Sequence, residues 1–154
     1  MLTISRDEII KMIPMPDAIA AMHRAFSDFN NGAFVLPDRI SMDINNKDAT
    51  VLVMPAYRKM GKYFTTKVVT VFQNIIAGRS STISSSVSVF NSSNGDLVAT
   101  MDGRAITSLR TGAATGLATK LLAKENVEVA AIFGTGVQAY TQVEAIISSR
   151  PINK

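Results

Sequence analysis

The stretch Val127–Ala139, VEVAAIFGTGVQA, decides how this chain is read. A run of valine, alanine, isoleucine and phenylalanine that closes on glycine predicts a strand buried on both faces, running into a tight turn. Gly134, Gly136 and Ala139 hold the places of a Gly-x-Gly-x-x-Gly pattern, alanine being a permitted third member, and a helix is predicted from Tyr140 to Ser148. Each position has a physical reason. Gly134 permits the turn, Gly136 leaves bare backbone for a pyrophosphate to approach, and Ala139 lets helix and strand pack closely. The pattern therefore predicts the opening of a dinucleotide-binding (Rossmann) domain. The residue that reads the ribose, about 20 positions on, falls at or beyond Lys154, and a doubly wound sheet needs several βαβ units. Only the first βα unit of such a domain is expected here.

Upstream the periodicity changes twice. Ser5-Arg6-Asp7-Glu8 has capping-box spacing, so a short helix starts there, and a second follows Pro14 and Pro16. Ala18, Ile19, Met22, Ala25, Phe26 and Phe29 give that second helix a 3.6-residue period, ended by Asn30-Asn31-Gly32. From Arg39 to about Met101 the period is two. Strands are predicted at Ile40–Ile44, Thr50–Ala56, Lys62–Phe72, from Ile83 to Val89, and at Leu97–Thr100. Asn94-Gly95 predicts a hairpin, because both residues can take positive φ. The serine-rich segment Gly78–Ser88 reads as a loop entering a strand. Together these describe an antiparallel sheet behind two helices, an α+β class. A long helix is predicted from Arg104 to Ala123. Two glycines inside it, Gly112 and Gly116, each cost about 1 kcal/mol against alanine, so another element must pack against that backbone.

Composition narrows the chemistry. The 154 residues are 47% apolar, enough for an ordinary core, and they include no cysteine and one histidine, His23. Thiol nucleophiles, thiolate metal sites and most zinc sites are thereby excluded, and no metal centre is expected. Met1–Lys11 alternates charge with isoleucine, so neither a signal peptide nor a membrane span is predicted, and a cytoplasmic location is the default. The net charge of +4 is modest. Arg58, Lys59, Lys62 and Lys67 lie among Tyr57, Tyr63 and Phe64, a pattern that could stack bases, but a solvated turn produces it more often. Nucleic acid and membrane are not expected partners. Lys67 alternates with Tyr63, Thr65, Val69 and Val71, and a lysine on such a face is costly to bury without an anion. With Arg39 and Arg110 it forms a cationic set suited to an acidic ligand.

The segment Met101–Ala145, MDGRAITSLRTGAATGLATKLLAKENVEVAAIFGTGVQAYTQVEA, closely resembles the ornithine cyclodeaminase and mu-crystallin family. The carrying feature is D-G-x-x-I-T-x-L-R-T-x-A-A placed before G-x-G-x-Q-A. The likeness extends weakly to LPDRISMD (Leu36–Asp43), VLVMPAY (Val51–Tyr57) and YFTTKVV (Tyr63–Val69), and spans the N-terminal half of a family member. It implies a substrate-binding and homodimerising domain over residues 1–124 and the start of an NAD(P)-binding domain over residues 125–154. It also implies that Arg39, Lys67 and Arg110 hold a substrate α-carboxylate, with Lys67 and Arg110 at the reacting end. Gly134, Gly136, Gln138 and Ala139 match the cofactor turn, and Thr82 and Thr111 lie near the cofactor, NAD or NADP. The implied chemistry is ornithine cyclodeamination: hydride abstraction from the α-carbon, imine formation, loss of ammonia and closure to proline. Relatives act as alanine dehydrogenases or ketimine reductases on a small amino or imino acid. A chain cut to this length could instead be a non-catalytic dimerising module.

Overall fold

A computed structural model describes residues 1–44, 49–72 and 82–153. The loop expected over Gly78–Ser88 lies outside the described residues as far as Ser81. The chain divides into two compact units, residues 1–6 with 32–104 and residues 7–31 with 105–154.

The first unit is a seven-stranded sheet. Its elements are β1 (Leu2–Ile4), β2 (Phe34–Val35), β3 (Ile40–Asp43), β4 (Ala49–Arg58), β5 (Tyr63–Phe72), β6 (Ile83–Asn91) and β7 (Leu97–Asp102). The order is β1-β7-β6-β5-β4-β2, with β3 also on β4. All pairs are antiparallel except β1 on β7, which makes the sheet mixed rather than wholly antiparallel as expected. β1 and β2 are two or three residues long, too short for a period of two to reveal. Pro55 lies inside β4 without breaking it. The outer neighbours of β4 pair at Val53 and again at Tyr57, so the missing N–H falls where that outer ladder is already interrupted.

The tight β4–β5 connection places Met60 at φ 61° and 94% exposed, a conformation uncommon for a side-chain-bearing residue. Its neighbours hold it there. Gly61 N donates to Arg58 O at 2.8 Å, Ser92 Oγ donates to Gly61 O at 2.8 Å, and Lys59 Nζ donates to Gly32 O at 2.7 Å. The Asn94-Gly95 hairpin forms, but Gly95 alone takes positive φ, at 77°. The loop is longer than two residues: Gly95 N bonds Asn91 O, Asp96 N bonds Asn94 Oδ1, and a bulge follows between Val89 and Phe90. Once the asparagine side chain is a local acceptor, its backbone does not need the left-handed region.

The second unit is helical: α1 (Arg6–Met12), α2 (Met15–Asn30), α3 (Gly103–Leu122) and α4 (Ala139–Ile147). Gly103, which begins α3, belongs with the sheet, since a Cβ there would come within 2.9 Å of Ser85. Met15, Ala18, Ile19, Ala113, Leu117 and Ala145 form the helical core. Both interior glycines of α3 meet close neighbours, as the sequence required. A Cβ on Gly112 would lie 2.5 Å from Thr141 O, and one on Gly116 would lie 2.6 Å from Ile19 Cδ1 and 3.1 Å from Ala145 O. Thr141, Ala145 and Ser149 repeat at four-residue spacing opposite Gly112 and Gly116, and Ser149 Oγ lies 2.9 Å from Gly116 O.

Arg150 closes the far end of this helix pair. Its guanidinium donates to Lys120 O at 2.9 Å, Ala123 O at 2.8 Å and Lys124 O at 2.9 Å, carbonyls at the end of α3 that have no helical partner. Arg150→Ala is expected to cost about 2 kcal/mol, the scale of charged hydrogen bonds at a helix C-terminus. That corresponds to a fall in Tm of roughly 4–8 °C. Thermal unfolding measures it, with Arg150→Lys expected to recover only part, because an ammonium cannot fork across three carbonyls.

One expected element is absent. Residues 127–133 join no sheet among the described residues, and the main-chain bond recorded there runs from Asn153 N to Glu128 O at 2.9 Å. A strand buried on both faces takes its hydrogen bonds from neighbours, and among the described residues no strand lies beside this segment to supply a ladder.

Candidate cofactor and substrate site

The cofactor turn survives without its strand. Gly134 has φ 98°, a value that favours glycine, and a Cβ at Gly134 or Gly136 would meet nothing within 4 Å. The turn is open to a bulky anion. α4 begins at Ala139 after Gln138, with no side chain capping it and no acidic residue in its first turn, so its positive end is uncompensated. Gln138 Oε1 is buried and makes no hydrogen bond, while the Gln138 carbonyl accepts from Thr141 Oγ1 at 3.1 Å. Leaving such an atom unpaired costs about 1–3 kcal/mol, which a hydrogen-bond donor on a bound molecule would remove. These residues fit a dinucleotide: backbone and helix end suit its phosphates, and the carboxamide oxygen suits one of its hydroxyl or amide donors.

Arg110 and Thr111 lie on α3 immediately before Gly112. Arg110 is exposed, and Thr111 Oγ1 donates to Thr107 O at 2.6 Å. Because Gly112 abuts Thr141, three residues into α4 from Gln138, packing brings this turn of α3 against the first turns of the cofactor helix. Thr141 and Ser149, which hold the two helices together, were not among the expected residues. The matched four-residue spacing of small side chains on both helices was the signal available.

On the sheet, Lys67 occupies a single cross-strand row, Met54–Lys67–Val87–Met101–Ile4. Residues directly opposite share a face, so this half-buried ammonium stands in an otherwise apolar row. Arg39 immediately precedes β3, whose first residue, Ile40, pairs with Val53. Thr82 lies further off, at the end of β6, where its carbonyl accepts from Phe72 N at 2.8 Å. Of the base-stacking cluster considered above, Phe64 is stacked on Phe90 with centroids 4.9 Å apart, and Lys59 is held by Gly32 O. Among the described residues no group of three or more acidic, histidine or cysteine side chains could hold a metal ion, and no helix is long and apolar enough to cross a membrane.

A mixed sheet followed by two packed helices, with a glycine turn before the second, defines the class: an α+β domain leading into the start of an α/β dinucleotide-type fold. A model of the ornithine cyclodeaminase/mu-crystallin family matches residues 2–154, and the chain belongs to that family. It is 36% identical to a Δ1-pyrroline-2-carboxylate reductase of Bacillus cereus over 155 aligned positions, which cover all of this chain and 47% of the relative. It is 39% identical to the ketimine reductase mu-crystallin of Mus musculus over 123 positions, covering 77% of this chain and 38% of that one. Among solved structures, the Thermococcus litoralis Δ1-pyrroline-2-carboxylate reductase in complex with NADH and L-proline superimposes with a TM-score of 0.88 at 34% identity, covering 99% of this chain and 47% of that one. An archaeal alanine dehydrogenase dimer with bound NAD gives 0.87 at 30%, covering 98% and 46%. The chain spans about half the length of the relatives it matches.

Proposed function

We propose that this chain is the substrate-binding and cofactor-turn half of an NAD(P)-dependent oxidoreductase acting on a small cyclic imino acid or its amino-acid counterpart. The observation that carries the proposal is the seam between α3 and α4, which sets Arg110 and Thr111 against the first turns of the helix behind Gly134 and Gly136. A nicotinamide bound there would supply or accept a hydride at the substrate α-carbon, the C=N double bond of an imino acid taking the hydride at carbon and a proton at nitrogen in the reducing direction. The side chains of this chain bind and orient: Arg39 and Arg110 grip the α-carboxylate bidentately, and Lys67 supplies a point charge from the apolar row. Gln138 Oε1 accepts from a donor of the cofactor, and Thr82 and Thr111 lie on its nicotinamide or phosphate side.

Names of the relatives favour reduction of a cyclic imine over complete cyclodeamination. Residues 1–124 supply the substrate grip and residues 125–154 open the cofactor domain. Copies pair through the sheet face that carries Ile40, 61% exposed, and Met42, 53% exposed, beside Val51 and Val53. That face continues into an apolar hollow of about 370 Å³ lined by Pro55, Tyr57 and Phe64. Titrating NADH and NADPH into the purified chain tests the reading, because the sequence has no tryptophan to mask nicotinamide fluorescence. Saturable binding that pyrroline-2-carboxylate or proline tightens is expected. Binding of neither nucleotide, alone or beside the C-terminal half of a relative, would overturn it.

A further inference from the structure

The chain contains no cysteine and no tryptophan, so the side chains through which a peroxide can oxidise it are chiefly its eight methionine thioethers. The fold exposes them very unequally. Met15 lies in the helical core at 1% exposure, and Met22, Met54 and Met101 are half-buried. Met42 is 53% exposed, Met12 58% and Met1 78%, whereas Met60 reaches 94%.

The exposure of Met60 is built into the sheet unit. The residue sits at φ 61° in the β4–β5 turn, and the main chain on both sides of it is tied down. Lys59 N donates to Ala33 O at 2.8 Å, Gly61 N to Arg58 O at 2.8 Å, and Ser92 N to Lys62 O at 3.0 Å. Two side chains add to this, Lys59 Nζ donating to Gly32 O at 2.7 Å and Ser92 Oγ to Gly61 O at 2.8 Å. The Met60 side chain takes part in none of these bonds, and all the partners belong to the unit that runs from Gly32 to Arg104. A side chain that holds nothing in place can change polarity without disturbing the fold. Arg58, Lys59 and Lys62, all exposed, flank it, so a new acceptor oxygen there arises among hydrogen-bond donors.

We propose that Met60 is a modification site: its thioether takes an oxygen atom from hydrogen peroxide or an alkyl hydroperoxide ahead of every other methionine, and the fold tolerates the sulfoxide. In the step, a sulfur lone pair attacks a peroxide oxygen, and the O–O bond breaks as the S–O bond forms. Sulfur loses two electrons and the peroxide gains them. The proton of the attacked oxygen passes to the departing hydroxide or alkoxide, which leaves as water or an alcohol. Methionine sulfoxide is reducible, so the mark can be removed. Met54 gives the order of events its meaning. It stands directly opposite Lys67, and a sulfoxide there would put a polar group into that apolar row. Oxidation of Met60 thus registers peroxide before the Lys67 row is altered. The inference is independent of nucleotide or substrate binding.

The test is peptide mapping by mass spectrometry after timed exposure of the purified chain to hydrogen peroxide, in buffer and in urea. In buffer, Met60 sulfoxide is expected first, roughly tenfold ahead of Met54 and Met101, with Met15 unreacted while the chain stays folded. In urea, which equalises exposure, the rates should converge to within about twofold. Chain oxidised at Met60 alone should keep the Tm of untreated chain, and Met60→Leu should delete the first oxidation without changing the others. A Met60 no faster than Met54 in buffer overturns the proposal. So does a lead that persists in urea, because it would then not come from the fold. A fall in Tm that tracks Met60 oxidation, with the other methionines intact, overturns it as well, since the fold would then depend on that thioether.

Discussion

Gly112→Val is expected to destabilise the chain by roughly 3 kcal/mol, the upper part of the range for forced overpacking, and to lower Tm by roughly 6–12 °C. Two effects oppose each other at this position. Removing glycine from a helix interior gains about 1 kcal/mol of backbone entropy and propensity. Against that, a Cβ would sit 2.5 Å from Thr141 O and 2.9 Å from both its carbonyl carbon and its Cβ. Two of these three atoms are backbone, which cannot rotate away, so the helices must separate by nearly an ångström at their closest point. Valine adds two further carbons to the clash, and packing loses to strain. Gly116 supplies the control. Its nearest neighbour is Ile19 Cδ1, the free end of a flexible side chain, so Gly116→Ala should cost less than Gly112→Ala in the same melting experiment. Equal effects at the two glycines would mean that the seam is softer than its distances require. The functional corollary is that Gly112→Val pushes the helix behind the cofactor turn away from Arg110 and Thr111, so nucleotide affinity should fall with stability.

That seam was legible from the sequence as far as one helix can reveal it: two glycines in α3 demanded a close neighbour. Which neighbour was not legible, because the small residues of α4 acquire meaning only when Thr141 is found opposite Gly112. Strands β3 to β7 were legible for a similar reason, since a period of two with one face covered is written into each strand separately. Residues 127–133 mark the limit. Their apolar run states that the segment should be buried but cannot supply the hydrogen bonds of a sheet, which come from other strands. Arg150 was invisible in the same way, as its partners Lys120, Ala123 and Lys124 lie 26 to 30 residues earlier. The hairpin at Asn94-Gly95 was legible too, though only Gly95 of the pair uses the left-handed region, because sequence pairs indicate a turn more reliably than they assign φ. Of the candidate site, the left-handed glycine of the turn, Gly134, could be read directly. Which residues stand across the strands from Lys67 required the register of its neighbours.

That register leads to the second large effect. Lys67→Ala, made where this segment is continued by the second half of a family member, is expected to raise the imino-acid KM by roughly 10- to 150-fold, the equivalent of 1.5–3 kcal/mol for a lost charged hydrogen bond. The apolar row is what makes the effect large. Met54, Val87, Met101 and Ile4 stand across the strands from it and Val87 is 7% exposed, so within this row only Lys67 can donate a hydrogen bond from its side chain. A carboxylate docking there gains a charged hydrogen bond from the ammonium, and alanine cannot replace it. NADH affinity should stay within about twofold, since the proposed phosphate site is Gly134, Gly136 and the start of α4, on other elements of the chain, and a uniform binding loss appears in KM rather than in the cofactor. Lys67→Arg discriminates further. A guanidinium keeps the charge but is longer and planar, so partial recovery of KM indicates that charge dominates, and no recovery indicates that the point-charge geometry of lysine is required. Loss of NADH affinity in parallel with substrate affinity would instead assign Lys67 a structural role in the sheet and remove it from the carboxylate grip.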